Sequence, residues 1–174
     1  MANLPKIYLP FFVERHFPFL TRNDYEVKSK ADVFYNCIAF AAGEHDRWWE
    51  PDPGGVYYWP LKEREYTVEN YVRAFESIGY KKCNDPNYED GFVKVAIYYT
   101  LLGNPEAPPG SPTHAALQLD REKWASKLGP WHDIEHVNLH CLNGEDSTGI
   151  TRPYGQPVQF LKLDIKSRRR RPAK

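Results

Sequence analysis

Two residues in this chain have types and surroundings that suggest chemistry. Cys37 stands in Tyr35-Asn36-Cys37-Ile38-Ala39-Phe40-Ala41-Ala42-Gly43, and His114 stands in Thr113-His114-Ala115-Ala116-Leu117-Gln118. A thiol in the first turn of a helix faces unsatisfied backbone N–H groups, and the helix dipole favours its thiolate. An imidazole brought within reach could take the thiol proton, leaving a nucleophile for attack on a carbonyl. The Cys37 backbone N–H could then contribute to an oxyanion hole. The plainer alternative has equal physical standing. Free cysteine behaves as a small buried hydrophobe, and a lone histidine commonly makes a structural hydrogen bond.

Two other groupings compete for a functional role. His132-x-x-x-His136-x-x-x-His140-Cys141, with Asp133 and Glu135 nearby, would line one side of a helix and could hold a transition metal. Val137, Asn138 and Leu139 do not impose a helix, however, and Gly129-Pro130 favours a loop just upstream. The reading is therefore that no metal and no cofactor is bound. The aromatic residues Trp48, Trp49, Tyr57, Tyr58 and Trp59 could line a groove for a peptide or glycan, although packing is the favoured role. Gly54-Gly55 lacks a phosphate-loop pattern, and Arg168-Arg169-Arg170-Arg171 lacks the interleaved aromatics of a nucleic-acid stacking surface.

The elements that must position these groups follow from local signals. Asn36 can cap a helix over 36–43 and Gly43 can end it. Val68, Tyr71, Val72, Phe75 and Ile78 share one face of a helix over 68–78, with Thr67 as its cap and Gly79 as its stop. Residues 92–99 have the β-branched and aromatic content of a strand, and a Pro/Gly-rich loop follows over 103–112. Residues 113–119 and 123–128 read as a hairpin around Asp120-Arg121-Glu122. In the first of these strands His114, Ala116 and Gln118 share a face, and the small Ala116 would let the Cys37 helix cross beside His114. Residues 136–142 fit a strand or a short helix, and 158–165 read as the last strand. Helices followed by an antiparallel meander make an α+β domain. The expected organisation is an extended N-terminal arm over 1–34, one domain over 35–165, and a basic flexible tail over 166–174.

Composition narrows the classes. The chain has 174 residues, 41% hydrophobic and 15% aromatic, enough for one domain with a core. Lysine and arginine balance aspartate and glutamate at 23 each, so no global charge argues for nucleic acid or a membrane surface. Three cysteines without paired spacing fit neither a disulfide framework nor a zinc ribbon. The first residues lack the pattern of a secretory signal, and no apolar run reaches the ~20 residues that span a bilayer. A reducing cytoplasm is the expected compartment, with export as an effector without a signal peptide as the alternative.

Asn36-Cys37-Ile38-Ala39, Trp48-Trp49, Tyr58-Trp59-Pro60, Gly79-Tyr80 with Cys83, Lys94-Val95-Ala96-Ile97-Tyr98, Thr113-His114-Ala115-Ala116, Trp124-Ala125-Ser126-Lys127-Leu128-Gly129, Asp133-Ile134-Glu135-His136 and Tyr154-Gly155 occur in that order. This series resembles the signature of an uncharacterised bacterial family that is itself similar to the NlpC-type branch of the papain-like cysteine hydrolases. The resemblance covers about residues 35–162. It implies a papain-like fold with Cys37 at a helix start packed on an antiparallel sheet, and His114 as its base. It also implies a third polar residue on the next strand to orient the imidazole. Counting along the hairpin places Ser126 there, with Lys127, Asp133, His136 or Gln118 taking the place if the register differs. A serine accepts a hydrogen bond from the ring but cannot stabilise imidazolium as a carboxylate does. The expected function is cysteine-dependent hydrolysis or transfer at an amide of a peptide, protein or glycopeptide. The alternative is a non-catalytic binding or defence module on the same fold, with Cys37 structural.

Overall fold

Seven strands form one antiparallel sheet in the order β1-β6-β5-β4-β3-β7-β2. The computed structural model of the protein describes residues 6–102, 108–144 and 154–169. The strands are β1 (Tyr25–Val27), β2 (Lys81–Cys83), β3 (Phe92–Thr100), β4 (Ser111–Gln118), β5 (Trp124–Lys127), β6 (Asp133–His136) and β7 (Gln156–Asp164). The helices are α1 (Phe11–Glu14), α2 (Cys37–Ala42), α3 (Val68–Ser77) and α4 (Ile165–Arg169). A 3-10 turn over Leu139–Leu142 follows β6. The architecture is thus α+β, with β3 to β6 as a meander and β7 returning beside β3.

Both faces of the central strands are buried, and each has its own cover. On the helix face, α2 and α3 pack Ile38, Ala39, Ala41, Tyr71, Val72 and Phe75 against Val93, Val95, Ile97, Ala115 and Leu117. On the arm face, Leu9, Val13, Phe17 and Leu20 pack against Ala96, Tyr98, Ala116, Trp124 and Ile134. The helices form where the sequence signals place them. Thr67 Oγ1 accepts from Asn70 N at 3.2 Å at the start of α3, and Gly79 follows at φ 92°.

The N-terminal stretch departs from the expected extended arm. It contributes the single turn α1 and the edge strand β1, which pairs Tyr25 with His136 and Val27 with Ile134. The sheet therefore begins at residue 25, ahead of the expected domain start at 35. In the expected 136–142 element, His136 ends a strand and the turn starts three residues later. At the C-terminus, Ile165–Arg169 are helical, and residues 170–174 of the expected tail lie outside the described residues. So do residues 103–107 of the expected loop. Among the described residues no helix is long and apolar enough to cross a membrane.

Candidate functional site

Cys37 opens α2 as expected, and one side chain fixes that helix start. Asn36 Oδ1 accepts from Ala39 N at 3.1 Å and from Trp49 N at 3.2 Å, while its Nδ2 donates to Trp49 O at 2.9 Å. The cap therefore also anchors the following loop. Gly43 ends the helix at φ 86°, a conformation that costs glycine little. Ala39 and Ala41 are fully buried, and their small side chains let α2 approach β4 and β5 closely. Cys37 is 7% exposed in this layer.

Tyr71 and Lys127 each have an electrostatic interaction with Cys37. Burial raises the Tyr71 phenol well above its usual range, and Glu50 adds to the effect, so Tyr71 is neutral. Lys127 is fully buried, with Nζ donating to the carbonyls of Asp32 (2.7 Å), Gly129 (2.9 Å) and Trp131. Its ammonium lies 5.0 Å from the centre of the Tyr35 ring, and Tyr35 OH donates to Asp133 Oδ2 at 2.7 Å. Burial pushes the Lys127 amine down, against the opposing pull of Asp133 and Asp32. All three ammonium protons are given to carbonyl oxygens, so Lys127 offers a positive charge and no lone pair.

His114 lies on the other face of the sheet. Tyr98 pairs with His114, Ile97 with Ala115 and Ala96 with Ala116. Ile97 and Ala115 belong to the layer that holds Cys37, whereas Tyr98 and Ala116 belong to the arm face. The His114 ring stacks on Tyr154 at 3.9 Å and 3°, and meets Tyr98 edge-on at 5.3 Å. This corrects the expectation that Ala116 makes room for the Cys37 helix beside His114. The residue that β4 turns toward α2 is Ala115, a methyl group where an imidazole would have to be.

The expected His114–Ser126 contact forms, at 2.9 Å, within a longer chain. Ser126 Oγ is also 2.9 Å from His136 Nε2, and His136 Nδ1 is 2.8 Å from Asn138 O. The backbone carbonyl can only accept, so His136 Nδ1 carries a proton. A neutral His136 then accepts at Nε2 from the Ser126 hydroxyl, which accepts in turn from His114 Nε2–H. Burial lowers His136 to about 4 and drives His114 well below its usual range, with His136 nearby adding to the latter, so both rings are neutral. His114 Nδ1 is left as a buried acceptor with no partner. Apart from that nitrogen, three fully or nearly fully buried side chains bond to one another in an arrangement that holds β4, β5 and β6 together.

The structure thus joins His114 to Ser126 and separates both from Cys37 by the sheet. Among the alternatives for the third position, Lys127 and Asp133 are on the helix face, His136 ends the buried chain, and Gln118 Nε2 donates to Pro86 O. The involvement of Tyr71 and Tyr35 with the thiol layer was not signalled. Tyr71 read only as part of a helix face, and nothing in the neighbourhood of Tyr35 indicated its contact with Asp133. The helical histidine ladder does not form, because His136 is in a strand and His140 in the 3-10 turn. Among the described residues no three His, Cys, Asp or Glu side chains are grouped to hold a metal. Of the aromatic cluster, Trp49 and Trp59 are core residues at 1% and 5% exposure, while Trp48 and Tyr57 stack at the rim with ring centres 5.6 Å apart.

By architecture the chain is an α+β domain whose central strands are covered on both faces. Residues 26–162 match a family described as Domain of unknown function (DUF7689), and the chain belongs to that family. No curated protein and no solved structure matches it.

Proposed function

We propose that this protein is a non-catalytic binding module on a papain-like, NlpC-type plan, with Cys37 serving as a packing residue at the start of α2. The resemblance of the ordered motifs supports the plan, as does a cysteine-initiated helix packed on an antiparallel sheet. One observation carries the reading: β4 presents Ala115 to the layer of Cys37 and buries His114 in a hydrogen-bonded chain on the opposite face. Amide cleavage by a thiol calls for a general base beside it, and the imidazole of β4 is on the opposite side of the sheet. Cys37, Cys83 and Cys141 form no disulfide, which fits a reducing compartment, and the cytoplasm is the proposed location.

Iodoacetamide labelling of the native protein, read site by site, tests this. Cys83 is the most exposed of the three thiols and is expected to react first, with Cys37 and Cys141 slow. Labelling of Cys37 ahead of Cys83 at neutral pH would overturn the reading. That outcome would favour a cysteine-dependent amide hydrolase or transferase, a reading supported by a thiol at a helix start beside the Lys127 ammonium.

A further inference from the structure

A cavity of about 500 Å³ opens on the side of the sheet away from Cys37, beside the 3-10 turn that follows β6. Its walls carry Asp24, Asn138, His140, Asn143 and Gln156, and Phe19 stands at its edge. The turn brings these groups together. Asn138 caps it, with Oδ1 accepting from Cys141 N at 3.1 Å, so His140 and Asn143 project one turn apart. Asn143 is 6% exposed, and its Nδ2 donates to Gln156 Oε1 at 2.8 Å and to His140 Nδ1 at 2.9 Å.

Those bonds orient what remains. With Oε1 accepting, the Gln156 amide keeps both Nε2 protons to give. With Nδ1 accepting, the neutral His140 ring carries its proton on Nε2. Asn143 Oδ1 is a buried acceptor without a partner. Asp24 is held through Oδ2 by Thr21 N at 2.8 Å, which leaves Oδ1 to accept. The cavity therefore offers two directed donors and the Asp24 carboxylate as acceptor beside an aromatic ring that is 60% exposed, with the unpartnered Asn143 Oδ1 buried behind them.

We infer that this cavity binds a neutral sugar ring, such as a hexose or an N-acetylhexosamine of a glycan. The inference rests on the reading of the protein as a binding module and names its ligand class. Adjacent hydroxyls each donate one hydrogen bond and accept others, which suits alternating amide, imidazole and carboxylate groups. The C–H face of a pyranose suits the exposed ring of Phe19. An anion would meet the Asp24 carboxylate, with no lysine or arginine among the described lining residues, and among the described residues no three His, Cys, Asp or Glu side chains are grouped to hold a metal. The volume lies within the range of small-molecule sites. A larger groove of about 560 Å³ at the β1 end mixes apolar and charged side chains, and there Lys123 already pairs with Glu135 at 3.2 Å.

The test is saturation-transfer NMR on the full chain with glucose, galactose and N-acetylglucosamine, each titrated into the millimolar range. Transfer to the ring protons of at least one sugar is expected. Phe19→Ala and Gln156→Ala are each expected to weaken that binding about tenfold, the size of one lost directed contact. Both positions are exposed, so both variants should fold. Phe11→Ala, at an exposed aromatic outside the cavity, is expected to change nothing. Absence of transfer with all three sugars would overturn the assignment, as would equal weakening by Phe11→Ala and Phe19→Ala. Neither result depends on the reactivity of Cys37, so this inference and the binding-module reading can fail separately.

Discussion

The two faces of β4 have opposite characters, although their residues alternate along a single strand. On the helix face, Ala115 and Leu117 meet α2 in an apolar layer whose charged member, Lys127, has its protons spent on backbone carbonyls. On the arm face, His114 enters a polar chain that ends on a backbone oxygen. A one-residue step decides which environment a side chain meets, because the strand repeat is two. Two residues with the right chemistry can thus occur at a suggestive spacing and still lie on opposite sides of a sheet.

The sharpest way to break this arrangement is at Gly155, next to the Tyr154 ring that covers His114. Its φ is 81°, and a Cβ there would sit 2.1 Å from Tyr99 O. Gly155→Ala combines left-handed backbone strain with a clash against the β3 backbone. It is expected to cost more than about 3 kcal/mol, read as a lowered urea midpoint or loss of folded protein. Asn36→Ala attacks the helix face instead. It removes the α2 cap and orphans the Trp49 N–H and C=O, for an expected loss of about 2–4 kcal/mol. The imidazole signals of His114 and His136 should stay at their neutral positions in the NMR spectrum of the folded variant.

Acid should act on the arm face. His136 has a folded value of about 4 against an ordinary 6.5, so between these values the unfolded chain binds a proton that the folded chain refuses. Stability is therefore expected to be complete above pH 6.5 and to fall as the pH drops toward 4. The slope attributable to His136 approaches about 1.4 kcal/mol per pH unit in that window. His136→Gln should flatten this part of the urea-midpoint profile. The smallest effect is the most diagnostic. Cys37→Ala and Ser126→Ala should be additive in stability to within about 0.5 kcal/mol, because the two residues belong to different layers. A coupling well above that value would mean that the faces communicate through β4 or β5.

The legible parts of the fold were those with local chemistry. Asn36 with Gly43, and Thr67 with Gly79, bound their helices by capping and left-handed geometry, and both helices form there. Hairpin counting places Ser126 on the same face as His114, where the two meet, since alternation is a short-range property. What could not be read was which face α2 would cover. Both faces of β4 are buried and both carry alanine, so Ala115 and Ala116 are equivalent until the packing partners are known. The three-residue strands β1 and β2 are too short to carry a pattern, and they exist through their pairing with β6 and β7. The polar cavity beside the 3-10 turn draws on residues from three separate stretches, 19–24, 138–143 and 156, which no single motif announces.

Lys127 has a consequence of another kind. Its ammonium gathers oxygens from Asp32, just ahead of Cys37, and from Gly129 and Trp131 in the β5–β6 turn. Many proteins fasten such a junction of loops with a bound cation drawn from solution. Here the cation is part of the chain, so this corner should keep its shape in a chelator and be indifferent to the supply of divalent ions.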